Sequence, residues 1–350
     1  MSSHVIFGAG LIGSYIGACM HQLGVNVALV CRPAIKHKLL SEVTLTDYQE
    51  NYANVTGLNF LDIDVLARLK PNQLECDFLW LTVKCHGVAQ AVRDIAPLVS
   101  DKTVILCCQN GLGSEKPVQN AFPNNVVLRV MVPFNVVELK TGHLHRGSQG
   151  QLTIEQTTNG QVSETLQKIL NSALLPVALT HDMQALLWAK LQLNLGNSIN
   201  ALADIPVKNM LQQRGYRLVI ATLMRELLAV TNELGIELPK VTTLPAKMVP
   251  YVLKLPNFLF TLVANKMLAV DPNVRTSMWW DMSQGKPTEI RYLNGAVVSA
   301  AERLGQEAPA NKRIVALIES LTSTHGAKKD LAYLSRPISA KQLQDLIRKP

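Results

Sequence analysis

The apolar run Val5-Ile6-Phe7 passes directly into Gly8-Ala9-Gly10-Leu11-Ile12-Gly13, and an apolar helical stretch follows as far as Leu23-Gly24. A strand, a glycine loop and a helix in that order leave the chain few folds to enter. Gly8 permits a tight turn, Gly10 lets a pyrophosphate approach the backbone, and Gly13 lets the helix pack closely on the strand. The helix N-terminus adds unpaired N–H groups and the positive end of its dipole. Gly8, Ala9, Gly10, Leu11, Ile12 and Gly13 are therefore expected to bind a dinucleotide. The alternative is a glycine turn with no ligand.

Which dinucleotide depends on the end of the second strand, Val25-Asn26-Val27-Ala28-Leu29-Val30. An NAD site usually places a carboxylate there to accept from the ribose hydroxyls. This chain has Cys31-Arg32-Pro33, with Lys36 and Lys38 close behind. Arg32 would attract a 2′-phosphate, and no carboxylate is present to repel one. The residues favour NADP over NAD, the competing reading being a solvated basic helix start.

A chain of 350 residues that is 48% hydrophobic can bury a large core and is expected to form two domains. Gly8 and Gly10 interrupt the first apolar stretch and no basic segment precedes it, so no signal peptide is expected. The longest other apolar stretch, Leu255 to Asn265, lies between Lys254 and Lys266. It is much shorter than the roughly 20 residues of a membrane-spanning helix. All six cysteines precede residue 109 and none forms a CxxC pair. That argues against disulfides or zinc and for a reducing cytoplasm. Residues 1–200 carry 14 basic and 14 acidic side chains, whereas residues 201–350 carry 20 and 12. The excess is scattered and not interleaved with aromatics, which disfavours nucleic acid as a partner. A solvated helical surface accounts for it, with attraction of anionic ligands as a second reading.

Residues 1–182 alternate strands with helices. A polar hairpin is expected from Val43 through Val55, and apolar strands at Phe78–Val83 and Thr103–Cys108 suit a sheet buried on both faces. Segments at Val126–Val137, Gln151–Glu155 and Val177–Thr180 are expected to extend that sheet, some of them antiparallel. From residue 183 to 350 the pattern is helical. The fold class is thus α/β: an N-terminal Rossmann-type dinucleotide-binding domain, 1–182, followed by an all-α domain, 183–350.

Ligands of open α/β sheets bind at the carboxyl ends of strands. Lys84 follows one such end and Asn110, before Gly111, follows another. Lys84 can reach a phosphate, ribose or carboxylate. Asn110 fits either a turn or a ligand contact. His143 and His145 would share one strand face, but no further ligands at suitable spacing support a metal, and none is expected.

In the helical half, Lys190, Asn194, Asn197 and Ser198 are spaced to share one helix face among leucines. Asparagine inside a helix costs about half a kcal/mol relative to alanine. The stripe is thus either a ligand-facing surface or a polar seam between helices. Ser277 and Glu289 flank the break at Gly285-Lys286-Pro287 and could line one cleft. Glu289 could equally be a surface charge at a helix start.

These residues together resemble the ketopantoate reductase family. The resemblance spans nearly the whole chain: Gly8-x-Gly10-x-x-Gly13, Arg32, Lys84, Asn110-Gly111, Lys190-x-x-x-Asn194, Ser277-Met278 and Thr288-Glu289-Ile290-x-Tyr292-x-Asn294-Gly295. It implies NADPH and a 2-keto acid in the cleft between a Rossmann domain and a helical domain. Hydride would pass to the C2 carbonyl, with Lys190 as the general acid. The chemistry supports that role, because hydride addition builds negative charge on oxygen and an ammonium both stabilises it and supplies the proton. By the same resemblance, Lys84 and Asn110 would anchor the nicotinamide-ribose side. Asn194 and Ser277 would hold the substrate, and Glu289 would contact cofactor or substrate and orient Lys190. Asn110, Asn197 and Ser198 complete the expected substrate-binding set, and a homodimer is compatible with the family.

There are departures. The family's second asparagine, eight residues after the lysine, is Ser198, with Asn197 adjacent; another, near position 208, is Lys208, with Asn209 beside it. The chain is also several tens of residues longer than compact members, partly through the excursion at 43–55. These changes leave a different 2-keto acid, an opine-type or hydroxy-acid substrate, or a non-catalytic NADP-binding sensor as alternatives to ketopantoate reduction.

Overall fold

The structure is a computed structural model that describes residues 2–70, 73–157, 160–264, 274–323 and 337–348. The chain divides into two units, Met1–Met183 and Gln184–Pro350.

Among its described residues the first unit has twelve strands: β1 Ser3–Phe7, β2 Asn26–Val30, β3 Glu42–Asp47, β4 Tyr52–Thr56, β5 Asn59–Leu61, β6 Phe78–Leu81, β7 Val104–Cys107, β8 Val127–Met131, β9 Val136–Lys140, β10 His143–Arg146, β11 Leu152–Glu155 and β12 Val177–Thr180. Eight form the main sheet, in the order β12-β11-β8-β7-β6-β1-β2-β5. The pairs from β8 across to β5 are all parallel, whereas β11 runs antiparallel to β8 and β12 parallel to β11.

The apolar runs do what their continuity predicts. Ile6, Leu29, Trp80 and Leu106 point into one hydrophobic core, while Val5, Phe7, Leu79, Leu81, Ile105 and Cys107 point into the other. Successive residues alternate between the two, so both faces of the sheet are dry. The helix Leu11–Gln22 covers the first face and buries Gly13 through Met20. All six cysteines are free thiols, and burial pushes those of Cys19, Cys76 and Cys107 up to about 12.

The excursion at 43–55 is a hairpin, β3-β4, but it does not stand alone. It joins β9 and β10 in a second sheet of order β4-β3-β10-β9, in which β3 and β10 are parallel. Of the later segments expected in the main sheet, β8, β11 and β12 are there; Val136 and Val137 instead begin β9 of the second sheet. Asp47 and Arg146 face each other across β3 and β10 as a buried ion pair at 2.6 Å. Asp47 also accepts from Gln49 N, Asn51 N and Asn51 Nδ2, and Arg146 donates to Gly150 O and Ala173 O.

The described residues of the second unit are helical. Its longest helix, Arg214–Glu233, buries Val219, Ile220, Leu223 and Leu227. Helices Val249–Lys254, Asn294–Arg303, Pro309–Ser323 and Ala340–Arg348 pack around it. Glu226 accepts from Ala310 N and Asn311 N at 2.8 and 2.9 Å, which satisfies orphan donors at the start of helix Pro309–Ser323. Buried Arg217 donates to Leu253 O and Leu255 O and lies 3.9 Å from the centre of the Phe260 ring, fixing the chain between two short helices. No helix among the described residues is long and apolar enough to cross a membrane; Asn265 and Lys266, at the end of the stretch considered above, lie outside them.

Candidate active-site groups

The first unit gathers its candidate residues at one edge of the main sheet. β7, β6, β1 and β2 are neighbours, and Cys107, Leu81, Phe7 and Val30 stand level at their carboxyl ends. The chain proceeds from β1 to β2 and β5 on one side and returns to β6 on the other. β1 therefore lies at the topological switch point, where the crevice for a ligand opens.

Three glycines serve three different purposes there. Gly8 has φ +86°, and a Cβ on it would collide with Val83, including its backbone nitrogen at 2.9 Å. Gly13 packs on the sheet so closely that a Cβ would strike the Thr82 hydroxyl and come within 3.1 Å of Ile6. Gly10 is different: its nearest neighbour to a built Cβ is Gly8 O, at 3.9 Å. Among the described residues no other atom comes within 4 Å of that built Cβ. Gly8 N and Ala9 N both donate to Val30 O at 3.0 Å, and Ser14 Oγ donates to Ala9 O, which fixes the loop against β2. Gly10 caps helix Leu11–Gln22 without a side-chain acceptor, and no acid occupies the first turn. A helix start of this kind can accept an anion, and the open space at Gly10 would fit a dinucleotide diphosphate.

Arg32 is exposed and caps helix Pro33–Leu39, whose first turn also lacks an acid. Lys84, exposed, caps the short turn Cys85–Gly87 after β6. Asn110 is half-buried after β7, and its carbonyl accepts from the Cys85 thiol at 2.7 Å. Two further residues at this edge are not singled out by the sequence. Gln109 is buried and donates through Nε2 to Leu81 O and Val83 O, binding the end of β7 to that of β6. Thr82 donates to Phe7 O and Gly8 O, binding β6 to the glycine loop. The one signal for either is a polar side chain beside an apolar strand. His143 and His145 do share a face, and both rings bond the Thr46 hydroxyl at 2.8 Å.

In the second unit the expected helix over 187–200 is two helices, Met183–Asn194 and Gly196–Ala203, meeting at Leu195. Lys190 and Asn194 are half-buried on the first, and Asn197 is half-buried on the second. Ser198 departs from expectation. It is fully buried and its hydroxyl donates to Leu195 O at 3.1 Å.

Glu289 is buried, not a surface charge, and lies just before the turn Ile290–Tyr292. Burial lowers the Lys190 ammonium to about 8, while the Glu289 carboxylate acts in the opposite direction. Desolvation thus prevails over attraction, leaving an ammonium close to neutrality in its titration. Ser277 is exposed at the first position of helix Ser277–Ser283.

A network absent from the sequence expectations sets that helix in place. Asn200 Oδ1 accepts from Thr276 N at 3.0 Å, Thr276 Oγ1 donates to Asn197 O, and Asp204 accepts from Arg275 and from Trp279 Nε1. Asp204, at φ 49°, ends helix Gly196–Ala203 in the left-handed region. Lys208 is half-buried and Asn209 exposed on helix Val207–Gln212.

Comparison with known proteins places these groups in a family. The family model described as ketopantoate reductase PanE/ApbA matches residues 4–159, and that of its C-terminal part matches residues 182–322. A 2-dehydropantoate 2-reductase of Archaeoglobus fulgidus is 22% identical over 322 residues, covering 91% of this chain and 97% of that protein. One from Mesorhizobium japonicum is 25% identical, covering 92% and 98%. Among solved structures, the PanE/ApbA family ketopantoate reductase from Ralstonia eutropha has a TM-score of 0.73 at 25% identity, covering 92% of this chain and 99% of that one. D-mandelate dehydrogenase with NADH and anilino(oxo)acetate has a TM-score of 0.72 at 19% identity, covering 93% and 100%, a likeness of fold.

Proposed function

The chain belongs to the ketopantoate reductase family, and from that premise we propose that it reduces 2-dehydropantoate to pantoate with NADPH, a step of pantothenate biosynthesis. The observation that carries the chemistry is Lys190, whose ammonium is lowered to about 8 by burial against the opposing influence of Glu289. A group with that value is still protonated at neutral pH yet gives up its proton readily.

NADPH, when bound, supplies the hydride. Gly10, Leu11 and Ile12 would hold the diphosphate through open space and N–H groups, and Arg32, with no acid in the first turn of its helix, would take the 2′-phosphate. Lys84 and Asn110 hold the nicotinamide-ribose end. Lys190 donates its proton to the oxygen formed from the C2 carbonyl, and Glu289 orients it. Asn194, Asn197 and Ser277 hold the substrate carboxylate and hydroxyl. Ser198 has no part in this assignment, because it is fully buried and its hydroxyl proton goes to Leu195 O.

The test is NADPH oxidation across a panel of 2-keto acids, with NADH as the control. Ketopantoate is expected to be the preferred acceptor and NADPH the preferred donor. Lys190→Ala is expected to bind NADPH normally but to lose at least a hundredfold in kcat, the lower part of the range for a positioned general acid. Full turnover by that variant would remove Lys190 from the mechanism. A preference for NADH would remove the role given to Arg32.

A further inference from the structure

We propose that the ion pair between Lys38 and Glu138 sets how tightly the glycine loop holds the diphosphate of its dinucleotide. The inference rests on the dinucleotide reading above and extends it to two residues outside the fingerprint. Lys38 Nζ lies 2.5 Å from Glu138 Oε2. Both side chains line a groove with Gly10, Leu11, Ser14 and Leu144. Gly10 and Leu11 are the residues where open space and the helix N-terminus meet, so the pair stands beside the phosphate cradle.

The two partners arrive from different parts of the fold. Lys38 is on helix Pro33–Leu39, which follows Arg32, and Glu138 is on β9 of the second sheet. Neither helix bordering the cradle has an acid in its first turn, and Glu138 is the one carboxylate among the groove's lining residues. A carboxylate beside a site for two phosphate charges opposes binding unless a cation neutralises it. Lys38 does so, but an ammonium held by Glu138 is less available to the phosphates. Lys38 is 41% exposed on a flexible stem with three donors, so it can turn from carboxylate to phosphate. Lys38 is thus an attractive element and Glu138 its counterweight. Together they keep the cofactor exchangeable, where an unopposed lysine would hold it more firmly.

The signs of the expected effects separate this role from a structural clasp. Glu138→Gln releases Lys38 and is expected to tighten binding of NADPH and NADH alike by about three- to tenfold, measured by titration calorimetry. Lys38→Met leaves Glu138 unopposed and is expected to weaken both by tenfold or more. The double variant should bind more tightly than Lys38→Met alone, a non-additivity that a double-mutant cycle reads directly. All differences should shrink in high salt. Weaker binding by both single variants, with lowered unfolding temperatures, would show a clasp between helix and sheet and overturn the proposal. So would unchanged affinities, or an effect confined to NADPH, which would assign Lys38 to the 2′-phosphate. If the unaltered protein binds neither dinucleotide, it is the dinucleotide reading that fails.

Discussion

At the scale of single residues, the glycine loop separates two kinds of necessity that the fingerprint runs together. Gly13 is required by the protein, since a methyl there meets Thr82 and Ile6. Gly10 has room for a methyl among the described residues, and under the proposed function it is the ligand that requires it. Gly10→Ala, at φ −77°, should therefore leave the unfolding temperature nearly unchanged while abolishing dinucleotide binding in a calorimetric titration. Gly13→Ala should destabilise the fold by about 1–3 kcal/mol, the usual cost of overpacking, seen as a lower denaturation midpoint. The Lys190 ammonium makes a prediction in pH. A proton donor works while protonated, so kcat/KM for keto-acid reduction should be level below about 8 and fall tenfold per unit above it. Glu289 pulls the ammonium upward, so Glu289→Gln should move that descending limb to lower pH. An unmoved limb would separate Glu289 from Lys190.

At the scale of elements, the legible and the illegible parts have distinct causes. Nearly continuous apolar runs and the glycine loop mark β1, β2, β6 and β7 because burial on both faces forces their composition. The positions of Lys84 and Asn110 at strand ends are legible because the apolar runs before them are. The break at Leu195 is not legible. Leu195 keeps helical dihedrals of −59° and −25° and still donates to Leu191 O, and the one local signal, Gly196, is equally compatible with an unbroken helix. Spacing groups Ser198 with Lys190, whereas the structure buries it with its hydroxyl donating to Leu195 O. Asn200 and Asp204 escaped for another reason: their partners, Thr276, Arg275 and Trp279, lie over 70 residues away in sequence. Long-range pairing leaves no local period. Asn200→Ala should show the consequence, raising KM for the keto acid more than it lowers kcat if Asn200 only positions the Ser277 helix. Equal loss in both would point to direct contact.

At the scale of the whole molecule, the buried pair of Asp47 and Arg146 makes the first unit sensitive to mutation and to acid. Burial by itself raises the Asp47 carboxyl, but hydrogen bonds from Asn51 and Arg146 and from the backbone of Gln49 and Asn51 outweigh it, and the net shift is downward. A carboxyl lowered by folding contributes stability above its unfolded value and loses it as pH falls through its folded one. Acid should therefore weaken the first unit by way of this residue, and Asp47→Asn should flatten that part of the pH dependence. The same substitution leaves Arg146 buried without a counter-charge and should cost about 3–5 kcal/mol in equilibrium unfolding.

The second sheet has a bearing on how such a chain can change over generations. Its two halves leave the main sheet some eighty residues apart, yet β3 pairs directly with β10 and each supplies one member of the buried ion pair. Neither excursion is a dispensable loop. A deletion that removed β3 and β4 alone would strand a guanidinium in the interior, and one that removed β9 and β10 would strand a carboxylate. The two hairpins are a single heritable part written in two places, to be gained, trimmed or transplanted together.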